Sequence, residues 1–113
     1  MFVALSLLLA VACLLPGMAK VTGHPAMRQS AAHFGISWHR YRFIGVAELA
    51  GAAGVLAGLW WHLLGVAAGT GMAVLLVGAV LTHQRAKDSG KAMAPALLGL
   101  AITIAYLAVA AIS

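Results

Sequence analysis

Long apolar runs alternate with short polar clusters along the chain. Phe2 to Ala19, Phe43 to Trp61, Leu63 to Thr82 and Met93 to Ile112 consist almost wholly of aliphatic, small and aromatic residues. A bilayer core about 30 Å thick needs about 20 apolar residues at about 1.5 Å of rise each, so the pattern predicts four transmembrane helices. Between the first two runs, Pro25 suits a helix start and Gly35 a stop, while Met27, Ala31, Phe34 and Trp38 recur at helical spacing. Arg28, Gln29 and His33 fall largely off that stripe, which predicts a short interfacial helix anchored by Trp38 and Tyr41. Trp60, Trp61 and His62 are the only residues left for the bend between the second and third runs. Paired tryptophans suit a headgroup belt, and His62 is expected to be a solvated turn residue. The expected fold class is therefore an all-α membrane protein: a four-transmembrane-helix bundle with a short interfacial helix between spans one and two, in a single domain over residues 1–113.

The first run is expected to remain as a span. No Lys or Arg precedes it, it has full spanning length, and Lys20 stands where a cleaved signal peptide would carry small residues.

Composition supports the bilayer reading. Of 113 residues, 64% are hydrophobic and 8% charged, against about 45 to 50% and about a quarter in soluble domains. So short a chain has no room for a separate catalytic lobe or a Rossmann unit. The net charge of +5 would suggest a nucleic-acid partner in a soluble protein, but its placement excludes that partner. Lys20, Arg28, Arg40 and Arg42 lie in one interspan loop and Arg85, Lys87 and Lys91 in the other, while the opposite side has no Lys or Arg. This asymmetry puts both basic loops in the cytoplasm and the N- and C-termini outside, as in a bacterial plasma-membrane protein. Cys13 is the single cysteine; it can form no internal disulfide and is expected to be a small buried hydrophobe.

Lipid is as apolar as Leu, so membrane helices associate through small residues that allow close approach. Gly45, Gly51, Gly54 and Gly58 on span two, with Gly65, Gly69, Gly71 and Gly78 on span three, predict a tight pair of helices. On span four, Gly99, Thr103, Tyr106 and Ala110 share one face, which is expected to turn inward. Tyr106 is expected to fill space there with its hydroxyl hydrogen-bonded; a ligand role makes it a secondary candidate.

Glu48 is the one formal charge inside the four runs. An unpaired ionisable group costs at least ~2.5 kcal/mol at the bilayer centre, so it faces the bundle interior and finds a partner. Span one descends to Lys20 and span three to Thr82 and His83, so depth alone brings Lys20, Glu48 and His83 toward one leaflet boundary, with Arg42 nearby as a further secondary candidate. Two compatible roles remain open: a clasp fastening three helices, or a site for a substrate, a quinone or protons. His24, His33 and His39 have no Cys or carboxylate companions at metal-ligand spacing, so no metal site is expected.

The ordered series Gly17-Met-Ala-Lys20-Val-Thr-Gly23, Gly45-Val-Ala-Glu48-Leu-Ala-Gly51-Ala-Ala-Gly54 and Gly78-Ala-Val-Leu-Thr82-His83 resembles the DoxX-like membrane protein family over nearly the whole chain. The resemblance implies a four-helix membrane bundle of this size whose polar signature falls on Lys20, Glu48, Thr82 and His83. Its name comes from small subunits of a membrane thiosulfate:quinone oxidoreductase, and some members are similar to scaffold subunits joining redox enzymes at the membrane. The expected role is thus an accessory or scaffold subunit linked to quinone or thiol redox chemistry. Alternatives are a quinone-linked oxidoreductase subunit with a direct substrate role, and a helix-binding assembly factor or carrier of a small amphiphile. One cysteine and no cofactor motif argue against a complete enzyme. No resident cofactor is expected, although quinone fits the chemistry. The expected partners are the lipid bilayer, membrane redox-complex proteins and a second copy of the chain.

Overall fold

The computed structural model describes residues 1–112 and contains five helices: α1 (Phe2–Thr22), α2 (Pro25–Phe34), α3 (Trp38–Ala57), α4 (His62–Arg85) and α5 (Gly90–Ala111). No strand occurs among the described residues. α1, α4 and α5 are long and apolar enough to cross a membrane. α3 carries Arg40, Arg42 and Glu48 and falls outside that set.

Local chemistry explains where the helices begin and end. α2 starts at Pro25 and stops before Gly35, whose φ of 69° is the left-handed conformation that glycine adopts without strain. α1 continues past Ala19 to Thr22 and ends at Gly23, with φ 80°, so Lys20 sits on the helix rather than in a loop. α3 begins five residues before the expected Phe43 because the Ser37 hydroxyl caps it, accepting from the Arg40 N–H. It also ends earlier than expected, at Ala57, leaving Gly58 to Trp61 for the turn. The Ser89 hydroxyl caps α5 in the same way, accepting from the Ala92 N–H.

α1 packs on α3, α3 on α4, α4 on α5, and α5 returns to α1, with α2 against α1 and α3. Small residues set these approaches. A Cβ on Gly45 would stand 2.6 Å from Lys20 Cβ and 3.0 Å from the Gly17 carbonyl, and one on Gly54 would stand 2.7 Å from Ala68 Cβ. Gly58 and Gly65 bring the backbones of α3 and α4 into direct contact. Gly51, Gly54, Gly58 and Gly65 thus pair spans two and three as their spacing predicted, whereas Gly45 packs on α1, Gly69 packs on Tyr106 and Leu107 of α5, and an added Cβ on Gly71 or Gly78 would meet nothing within 4 Å.

Leu9, Ala10, Cys13, Ala52, Val55, Met72 and Tyr106 form the core. Thr103, Tyr106 and Ala110 are buried and Gly99 is partly so, as expected for the inward face of α5. The molecule is 40 Å along its longest axis, close to the full thickness of a bilayer with its headgroups, about 40 to 45 Å.

Candidate functional site

A close approach of α1 and α3 at Gly17 and Gly45 brings Lys20 and Glu48 together. Both are buried, and Lys20 Nζ lies 2.7 Å from Glu48 Oε1. The contact is an ion pair rather than a linear hydrogen bond, since Oε1 has no hydrogen-bond partner of good geometry. The arrangement follows from the backbone: Gly45 has no side chain, so the Lys20 stem crosses α3 and carries its ammonium to Glu48, one turn further along. Lys20 Nζ also stands 5.3 Å from the centroid of the buried Tyr41 ring, a second interaction for the buried cation.

The other expected members of this cluster do not join it. Thr82 donates its hydroxyl to the Gly78 carbonyl in its own helix at 2.8 Å. His83 meets Asp88 instead: its Nδ1 lies 2.6 Å from Asp88 Oδ2, and its ring stands edge-on to Phe34 at 5.0 Å. Arg42 is exposed. Tyr106 is fully buried and stacks on Phe2 at 5.4 Å. Its hydroxyl, expected to be hydrogen-bonded, lies by Ser6 and against Gly65 without a bond of good geometry, while the Ser6 hydroxyl donates to the Phe2 carbonyl at 2.8 Å.

Asp88, to which sequence reasoning gave no role, is the centre of a second cluster. Its Oδ1 lies 2.6 Å from His33 Nε2 on α2, while Oδ2 holds His83 on α4, so one carboxylate bridges two imidazoles. The turn after α4 makes this geometry. Lys87 adopts φ 57°, and the Asp88 N–H donates back to the His83 carbonyl at 3.0 Å, which folds the acid onto the helix it has just left. Hydrogen bonds from His33 and then His83 hold the Asp88 carboxyl below the ordinary carboxylate range. Only its rarity could have flagged Asp88: in a chain with two acids, each is expected to meet a cation.

α2 is tied down at its other end as well. Arg28 lies over the Trp38 ring at 4.5 Å and donates through Nε to the Gly23 carbonyl at 3.4 Å, and the Tyr41 hydroxyl is 4.0 Å from Met27 Sδ. His24, Nδ1 of which accepts from the Ala26 N–H at 3.2 Å, serves as the helix cap. His39 is exposed. Among the described residues, no group of three or more His, Cys, Asp or Glu side chains is placed to hold a metal ion.

Both clusters lie within residues 4–106, the stretch that the DoxX-like family model matches. The chain belongs to the DoxX-like family. No curated protein and no solved structure matches it. Within this DoxX-like protein, both carboxylates are engaged by its own side chains, Glu48 by Lys20 and Asp88 by His33 and His83. Two apolar grooves open along the sides of the bundle. One, of about 310 Å³, runs between α1 and α3 along Leu7, Val11, Leu14 and Leu56; the other, of about 330 Å³, runs between α3 and α4 over Gly51, Gly54, Ala68 and Gly71.

Proposed function

We propose that this DoxX-like protein is a single-domain, four-span integral membrane subunit, over residues 1–113, that acts as an accessory or scaffold in a membrane redox assembly. In this reading α3 is the fourth span, α2 lies in the interface, and both basic loops face the cytoplasm of a bacterial cell. The observation that carries it is the closure of the Lys20–Glu48 pair at 2.7 Å. A carboxylate engaged by its own lysine and flanked by a close helix crossing serves as a clasp that fixes α1 against α3. Chemistry on a substrate would need that carboxylate released. The two grooves suit the apolar face of a neighbouring helix, because small residues let backbones approach. The redox link rests on the family resemblance, and a quinone is the amphiphile that such an assembly would bring to this surface.

Crosslinking in the native membrane, followed by purification in mild detergent, tests this role. A larger membrane redox protein crosslinked through α3 or α4 is the expected result. Recovery of the chain alone from native-level expression, with a quinone or lipid bound stoichiometrically, would replace the scaffold with a carrier. Glu48→Gln separates the two roles of the pair: lowered folded yield marks the clasp, whereas normal yield with lost activity marks a site.

A further inference from the structure

One end of the molecule gathers the unneutralised charge. The His33–Asp88 contact joins α2 to the turn between α4 and α5, and Arg28 over Trp38 joins α2 to the start of α3, so Arg28, Arg40, Arg42, Arg85, Lys87 and Lys91 all belong to this end. All six are exposed. The chain cannot balance them internally, because Glu48 is engaged by Lys20 and Asp88 by two imidazoles, and these are the only two acids. The opposite end, where Phe2, His62 and Tyr106 meet, presents exposed Trp60 and Trp61 and no Lys or Arg.

We propose that this basic end is a docking surface for anionic phospholipid headgroups, with Arg28 as its pre-oriented contact. The proposal rests on the bilayer setting of the helices and is independent of any redox partner. Arg28 is held by the Trp38 ring and through Nε by the Gly23 carbonyl, and both Nη groups make no hydrogen bond among the described residues. A guanidinium so fixed can fork onto a phosphate with little further ordering. Arg40, Arg42, Arg85, Lys87 and Lys91 make no side-chain ion pair among the described residues, so headgroup phosphates are their natural counterions.

The three tryptophans provide the test, since Trp38 reports the basic end and Trp60 and Trp61 the other. The protein is reconstituted with phosphatidylglycerol or phosphatidylcholine carrying identical brominated chains, and quenching gives the relative affinity of each lipid. With Trp60→Phe and Trp61→Phe in place, Trp38 is expected to report about fivefold preference for phosphatidylglycerol per headgroup–cation contact, reduced at about 0.5 M salt. With Trp38→Phe, the remaining pair is expected to report none. Adding Arg28→Gln, Arg40→Gln and Arg42→Gln to the Trp38 reporter should remove most of the preference, while Lys at the same three positions should retain it in an equally folded protein. Equal quenching by the two lipids at Trp38, equal preference at both ends, or preference that survives the glutamine changes would overturn the proposal. Capture of an acidic protein without lipid preference would overturn it too.

Discussion

Glu48 and Asp88 are the only acids in the sequence, and each meets its partners at about the same distance, 2.7 Å and 2.6 Å. Their surroundings differ. Glu48 is 6% exposed within a close helix crossing and has one cation. Asp88 lies in a turn at the end of the molecule with its own side chain 12% exposed, and shares its charge between two imidazoles, of which His33 is 53% exposed and so brings water to the bridge. Distance alone therefore says little about energy. A buried pair matters chiefly because removing one member strands the other in an apolar medium, whereas water and salt screen a bridge at the surface. Glu48 lies where two helices cross, and Asp88 where a short helix meets the α4–α5 turn.

The largest expected effect follows from stranding Glu48. Lys20→Met should destabilise the bundle by about 3–5 kcal/mol, read as a lowered midpoint in detergent or in SDS titration. Combining it with Glu48→Leu should restore most of the loss, because two apolar side chains of similar volume need no counterion. A loss of less than about 1 kcal/mol for Lys20→Met would mean that water screens the pair as it does an exposed bridge.

A smaller and more local effect is expected at Asp88. Asp88→Asn should leave the bundle folded and speed amide exchange in α2, since His33 is that helix's tie to the α4–α5 turn. The sign of the pH dependence follows from the lowered carboxyl pKa. The contribution is fully present above the unfolded value of about 4 and disappears as pH falls through the depressed folded value. Acid should therefore loosen α2 in the parent protein below about pH 4 and change α2 little in Asp88→Asn. Identical acid responses would show that the bridge does not hold the helix.

How much of this was legible from the residues depended on the scale of the signal. Apolar run length gave the number and order of the long helices, and Pro25 with Gly35 gave both ends of α2, because these features act locally. Lys20 with Glu48 was legible because a charge within an apolar run demands a partner at its own depth. Depth cannot tell which side of a helix faces which neighbour, and so it brought Thr82 and His83 into a cluster that they do not join. Asp88 escaped notice because its role depends on one backbone torsion, the φ of 57° at Lys87 that folds the acid back onto α4. A lysine carries no sign that it will adopt a conformation usual for glycine.

That torsion yields the next prediction. A left-handed backbone costs a residue with a Cβ roughly 1–2 kcal/mol, so Lys87→Gly should relieve the turn and stabilise the protein by about 0.5–1 kcal/mol while keeping the His33–Asp88–His83 bridge. Destabilisation would mean that the lysine side chain contributes more to the Asp88 end than its backbone strain costs.

The smallest effect is expected at Thr82, which lies next to His83 and carries part of the family's polar signature. Its hydroxyl is satisfied by the Gly78 carbonyl one turn back, and that carbonyl keeps its place in the helix without it. Valine has nearly the same shape and the same β-branching, so Thr82→Val should change stability by less than about 0.5 kcal/mol. It should also add independently to Lys20→Met, because sites without shared partners are additive within about 0.3–0.5 kcal/mol. A larger coupling between the two substitutions would bring Thr82 back to the Glu48 pair and extend the buried cluster from α1 and α3 to α4.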